Sequence, residues 1–290
     1  MTGSHKSITE EIASLEEAIA KLAEEFDRIY SNYLTALGKA VRQQLILACY
    51  HLCTQGYPES FLKLSYSQRQ KFQHRLQTLA IETQKELLAL VELSSATQAL
   101  EEKEEEETEE ENLLHTLASE DGTLELAEDV FVQLSIAEPL TLPERVAEWQ
   151  ENLEKSIQRL LKTLSQSINF TFKQANIFPQ HLPQKALEAA SQTEASAETI
   201  ASPPNLLNVV IQTEEGEHES ARTVTRLTVV HLRLSEIEFA DTAVMSERNQ
   251  IRTLSGQLNK VGRNYQKKQR EQKVLEAEAA WRSSWFEEKG

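Results

Sequence analysis

The chain has 290 residues, 40% of them apolar, 6% aromatic and 26% charged, with a formal net charge of −16. Glu, Gln, Leu, Ala, Lys and Arg dominate, against only eight glycines and seven prolines, a composition that favours an all-α fold through low rotamer loss and few breakers. Two cysteines exclude a disulfide scaffold, no apolar run approaches the ~20 residues of a membrane span, and the excess of acid disfavours nucleic acid as a partner.

The N-terminus, "MTGSHKSITEEI", lacks the basic and apolar segments of a secretory signal, which sets a cytoplasmic compartment as the expectation. Ser7 and Glu10 form a capping box, hydroxyl and carboxylate each taking an orphan backbone N–H, and predict a helix start there. Ile12, Leu15, Ile19, Leu22, Phe26, Ile29 and Tyr33 then alternate at spacings of 3 and 4, a heptad seam that predicts coiled-coil packing. The pattern runs on to Gly56-Tyr57-Pro58, where glycine is expected to supply a left-handed cap and proline to forbid continuation. Cys49 and Cys53 share a face at i, i+4. Two thiolates so placed make half of a zinc site, but nothing supplies the other half, so core packing is the preferred reading.

A second helix is expected from Ser67, with Gln70 closing its box, and Phe72, Leu76, Leu79, Leu87 and Leu90 on its buried face, Thr83 filling one slot. It runs into "EEKEEEETEEEN" (101–112), nine glutamates against one lysine, which reads as a solvated run or, alternatively, an acidic docking strip. Residues 113–140 hold at most a short amphipathic helix around Val130, Phe131 and Leu134. A third helix starts at Thr141-Leu142-Pro143-Glu144, cap and early proline together. Its seam is Val146, Trp149, Leu153, Ile157, Leu160, Leu164 and Ile168. The sequon at Asn169 carries no weight in a cytoplasmic chain.

These elements place an N-terminal three-helix region at 1–180, a small-residue linker at 181–204 and a C-terminal region at 205–290. In the last, 222–241 is two-sided. Its Thr and Val content allows a hairpin with 205–212, within a window of about 205–232. The 3, 4, 3 spacing of Leu227, Val230, Leu234 and Ile237 favours helix, and helix is the reading adopted. Glu236, Glu238 and Asp241 are clustered there, either sharing a cation or, by preference, forming a solvated face with Asp241 capping the next helix. That helix has its seam at Ile251, Leu254, Leu258, Val261 and Tyr265. Lys268 and Gln272 interrupt it, so its far end should pack poorly.

Between 243 and 273 lie eight Lys or Arg and two acidic residues, so this one helix is positive in a negative chain. Lys260, Arg263, Lys267 and Arg270 form a row opposite the seam, with Arg248 and Arg252 in line upstream. Near the end, "WRSSWFEE" puts Trp281 and Trp285 at i, i+4, a candidate contact element. Phosphate-binding glycine loops and nucleophile elbows do not occur, and the histidines lack ligand spacing, so the chain reads as non-catalytic and without cofactor or metal.

The stretches "PPNLLNVVIQ", "LRLSEIEFAD", "RNQIR", "KKQRE" and "EAEAAWRSSWFEE" resemble a family of uncharacterised cyanobacterial proteins, the likeness covering mainly 170–290. The resemblance implies a cyanobacterial cytoplasm, with the thylakoid surface as an address for a peripheral protein, and supplies no catalytic residue. The resulting expectation is an elongated, antiparallel all-α bundle acting as a coiled-coil adaptor or scaffold. Arg263, Lys267, Arg270, Trp281 and Trp285 would meet a protein partner or a second copy; peripheral contact with an anionic membrane is the rival.

Overall fold

The computed structural model describes residues 2–104, 142–179, 203–214 and 222–286. Helices account for nearly all of them: α1 (Thr2–His51), α2 (Pro58–Lys63), α3 (Tyr66–Glu104), α4 (Pro143–Gln174), α5 (Leu234–Ala240) and α6 (Thr242–Phe286). One antiparallel pair, β1 (Leu206–Glu214) and β2 (Arg222–Val230), completes the described chain. An all-α fold carrying a small hairpin is therefore what the composition produces. Most of the glutamate run, the stretch at 113–140, Thr141 and nearly all of the linker lie outside the described residues.

Two units divide the chain, and each takes residues from both sides of the linker. The first comprises Met1–Ser31, Val91–Glu154 and Glu247–Gly290. Here α1 runs on from Thr2 without a break at Ser7, so the Ser7–Glu10 box lies inside a helix rather than at its start. Ile12, Ile19, Leu22, Phe26 and Ile29 are buried as the heptad requires, while Leu15 is half-buried. Trp149 stands edge-on to Tyr30, ring centroids 5.4 Å apart, and packs against Phe26 at 6.4 Å. Pairs from Glu11 to Lys268 and from Glu16 to Tyr265 run α6 antiparallel to α1. Bonds from Gln266 to Glu144 and between Gln150 and Ser255 run it antiparallel to α4 as well. The α6 seam differs in one place: Val261 is half-buried and the buried position is Gly262. A Cβ there would lie 3.1 Å from the Pro143 side chain, so the missing side chain is what lets α6 approach the start of α4.

The second unit comprises Asn32–Leu90 and Lys155–Ser246. In it α1 ends in a π-helical turn, Leu52–Gly56, closed by the Tyr57 N–H donating to the Leu52 carbonyl at 2.8 Å. Gly56 is not in the left-handed region; the turn is ended by Tyr57, with φ −136°, and by Pro58 at the first position of α2. The short helix α2 follows where the sequence suggested only a break. The next capping box uses Ser65 and Gln68 rather than Ser67 and Gln70: the Ser65 N–H donates to Gln68 Oε1 at 2.8 Å, and the Gln68 N–H to Ser65 Oγ at 3.3 Å. Phe72, Leu76, Leu79, Thr83, Leu87 and Leu90 are buried as expected.

In α4 the buried seam passes through Leu161, with Leu160 only half-buried, and continues by Leu164 and Ile168 to Phe172. The helix closes with Asn176 at φ 54°. The Asn176 N–H reaches the Lys173 carbonyl and the Ile177 N–H reaches that of Phe172, the paired bonds of a left-handed C-terminal cap. Phe172 then stacks on Phe178 at 5.3 Å and meets Phe72 edge-on at 4.9 Å.

The helix reading of 222–241 is corrected for its first nine residues. They form β2, in register with β1 from Leu206↔Val230 to Glu214↔Arg222, and only Leu234–Ala240 is helical. Leu227, Val229 and Val230 are all buried, so both faces of the strand end are covered. This removes the alternation that marks a half-exposed strand and leaves a misleading helical spacing.

Replacing Leu22, 9% exposed, by Asp is expected to cost several kcal/mol, whereas Glu24→Lys on the exposed face should cost under about 1 kcal/mol. Thermal melts of the two variants check the α1 register.

Candidate partner-binding face

Asp241 starts α6. Its Oδ1 accepts the N–H groups of Ala243 at 2.9 Å and Val244 at 3.2 Å, the capping role read from the sequence. With Ile251, Leu254, Leu258, Gly262 and Tyr265 turned into the first unit, the opposite side of the helix must face outward. Lys260, Arg263, Lys267 and Arg270 are all exposed there. Among the described residues none of the four forms an ion pair; Arg263 donates only to the Asn259 carbonyl one turn back, at 3.2 Å.

The two other basic residues that matter point inward. Arg248, expected upstream in the row, instead makes a two-pronged pair with Glu154, one bond at 2.7 Å, with side chains only 14% and 20% exposed. The Tyr30 hydroxyl donates to the same carboxylate at 2.7 Å, and burial together with that negative charge pushes the phenol's pKa up. Lys268 pairs with Glu11 at 2.7 Å and Glu271 at 3.0 Å. The helix thus sorts its cations: Arg248 and Lys268, facing the bundle, have carboxylates, and the outer row is exposed.

The same outer line continues beyond the row. Lys260, Lys267, Val274 and Trp281 follow one another at intervals of seven, and Val274 and Trp281 are 50% and 67% exposed. No described side chain after Tyr265 is buried, in keeping with the polar interruption at Lys268 and Gln272. The Trp285 side chain lies outside the described residues.

The other candidates have structural work. Cys49 and Cys53 are free and buried; burial pushes the Cys53 thiol up to about 12 and that of Cys49 well above its usual value, so both are inert core groups. Among the described residues no group of three potential metal ligands converges. Glu238 accepts the Tyr33 hydroxyl at 2.6 Å. Glu236 accepts the Asn205 N–H and pairs with Arg233 at 2.7 Å, while Asp241 is spent on its cap. The trio does not share a site.

What the sequence did not disclose is how the hairpin is held. The Asn169 amide is buried and bonds both backbone groups of Val230, donating to the carbonyl at 2.8 Å and accepting the N–H at 2.9 Å. Ser165 Oγ, one turn earlier, accepts the Leu232 N–H at 3.0 Å. The Tyr57 hydroxyl accepts from the Thr228 N–H at 3.0 Å and donates to its carbonyl at 3.2 Å. The only signal in the sequence was polar residues lodged beside a buried seam, Ser165 after Leu164 and Asn169 after Ile168.

Comparison with known protein families, curated proteins and solved structures gives no match.

Glu154→Gln would leave Arg248 largely buried without a counter-charge and should cost about 3 kcal/mol, with part regained in a Glu154→Gln/Arg248→Met double variant; denaturant unfolding reads both. His231, half-buried between Val230 and Leu232, has its pKa lowered by burial, then by Arg233, with Glu236 opposing and Lys162 adding to the fall. The folded state therefore favours the neutral ring, so this contribution is complete above the unfolded value of 6.5 and is lost as pH falls below it. Melting temperature should drop between about pH 7.5 and 5.5 by more in the parent than in His231→Gln.

Proposed function

We propose that the chain is a non-catalytic adaptor or scaffold that binds a protein partner through the outer face of α6. The observation that carries this reading is the exposed row Lys260, Arg263, Lys267 and Arg270, at 3, 4, 3 spacing on a helix whose other side is committed to the bundle. Cations at that spacing suit an acidic helix lying alongside. The chain's own glutamates at 101–112, in the same molecule or a second copy, are the nearest source. The excess negative charge on the rest of the chain opposes phosphate backbones and anionic surfaces alike, which favours a protein partner over nucleic acid.

One observation favours a second reading. Exposed Val274 and Trp281 extend the basic row, and a cationic face leading into an apolar one also suits the interface of an anionic membrane, with ~1 kcal/mol available per basic residue near the surface. No helix among the described residues is long and apolar enough to cross a membrane. Under this reading the protein would be peripheral, and under the cyanobacterial resemblance the thylakoid surface would be its site.

Reversing Arg263, Lys267 and Arg270 to Glu decides between them. The parent should bind a synthetic peptide of residues 101–112, followed by fluorescence anisotropy, more weakly as salt rises, and the reversed protein should lose about tenfold or more in affinity, since each exposed pair contributes up to ~1 kcal/mol. Salt-sensitive binding of the parent to anionic vesicles, abolished by the reversal, would support the membrane reading instead. Identical behaviour of both proteins towards peptide and vesicles would reject the face as a binding surface.

A further inference from the structure

From Arg28 to Pro58 the chain has no Asp or Glu. With 46 acidic residues in 290, about one position in six, an acid-free run of this length sets the second half of α1 apart. The contrast is visible on the helix itself. Before Asp27 its outer positions include exposed Glu10, Glu11, Glu17, Glu24 and Glu25, an ordinary solvated face. Further on they are Lys39, Arg42, Gln43, Ile46, Leu47 and Tyr50, all exposed.

Leu34, Leu37, Val41, Leu45, Ala48 and Leu52 are buried and make the inner seam of this segment. The outer residues form a second seam on the opposite side. Lys39, Gln43, Ile46 and Tyr50 follow at spacings of 4, 3 and 4, the rhythm by which one helix packs along another. Arg42 and Leu47 flank it, one on each side. Ile46, Leu47 and Tyr50 are 50%, 43% and 59% exposed. A single exposed apolar residue is ordinary on a protein surface, but three within five positions make a patch. Among the described residues neither Lys39 nor Arg42 has an ion pair.

We propose that this face is where two copies of the chain associate, their α1 helices lying antiparallel about a twofold axis level with residues 44 and 45. That axis sets Lys39 opposite the second copy's Tyr50 and Gln43 opposite its Ile46, so the seam matches itself. Each Lys39 ammonium then meets an aromatic ring rather than a like charge. The two Leu47 side chains close one flank, and the Arg42 side chains stay at the wet rim of the other. Charge selects this arrangement. Two chains of net charge −16 repel through most of their surfaces, and an acid-free face lets them approach without setting carboxylate against carboxylate. A parallel pairing would place Lys39 against Lys39. The antiparallel one separates them by the distance from 39 to 50 along the helix, ~16 Å at ~1.5 Å per residue, which is about twice the screening length at physiological salt. The self-match of the seam is what favours a second copy over an unrelated helix. This inference is independent of the α6 face.

Light scattering of the full chain on a sizing column should give a dimer that dissociates on dilution. Ile46→Glu, at an exposed helical position, should leave helical content unchanged. It should raise the dissociation constant about tenfold or more, because each substitution enters the twofold interface twice. Leu62→Glu, on the exposed surface of α2, should leave the dimer intact. Added salt should tighten the dimer by screening the net repulsion, whereas a contact made by the α6 row would weaken. For the register, a mixture of Lys39→Cys and Tyr50→Cys should be joined by a short bismaleimide in higher yield than either variant alone; Cys49 and Cys53 are buried and keep the background low. A parent that stays monomeric at all concentrations would overturn the inference. So would a dimer that survives Ile46→Glu, that Leu62→Glu disrupts equally, or that weakens with salt, and so would cross-linking of Lys39→Cys with itself as efficient as in the mixture.

Discussion

The second unit depends on how a short strand is prevented from ending in unpaired backbone groups. A buried amide or carbonyl without a partner costs on the order of 1–3 kcal/mol. The outward edge of β2 at Thr228, Val230 and Leu232 would carry several. Tyr57, Asn169 and Ser165 meet them with side-chain atoms, so the helices act as the missing neighbour strand. The positions of these three side chains follow from other features. Tyr57 stands where the π turn is closed, and Asn169 and Ser165 lie one turn apart on α4. Asn205 closes the same end of the hairpin from the β1 side. It accepts the His231 N–H on its carbonyl and that of Arg233 on its side chain, and reaches Gln44 of α1 at 3.2 Å.

In the first unit the organising feature is the sorting of charge across α6. Arg248 and Lys268 turn inward and find Glu154 and Glu11, and the Tyr30–Glu154–Arg248 network satisfies a carboxylate that would otherwise be costly to bury. Gly262 lets the helix close on Pro143. With the inner side fixed by these contacts, the outer row has a defined orientation without help from a partner. A surface arranged in advance loses less conformational entropy on binding, which makes a rigid helix a better docking element than a flexible basic tail.

Periodicity revealed the helices well, because an amphipathic stripe is local information. The seams of α1, α3 and α6 could be read almost residue by residue, and the outer basic row followed from the same arithmetic. The errors came where local rules compete. A capping-box pattern at Ser7 is overridden when the preceding residues are also helical. At 65–70 two overlapping boxes fit the sequence, and the backbone uses the earlier. Leu160 and Leu161 are adjacent, and only packing decides which enters the core. β2 was misread because strand and helix spacings coincide when both faces are covered. The partnership of Asn169 with Val230, 61 positions apart, left no local trace at all. For the candidate face, Lys260, Arg263, Lys267 and Arg270 were legible, whereas Arg248 was misassigned because its partner Glu154 is distant in sequence.

Buried polar side chains act as structural hooks for the outer edge of β2. Residue-resolved hydrogen exchange in the parent and in Asn169→Ala tests this most directly. The Val230 amide, held by Asn169, should exchange as slowly as core helical amides in the parent and much faster in the variant. The Val229 amide, directed towards β1, should keep its protection. Unchanged exchange at Val230, or equal loss at Val229 and Val230, would show that Asn169 does not hold the strand edge and would contradict the account.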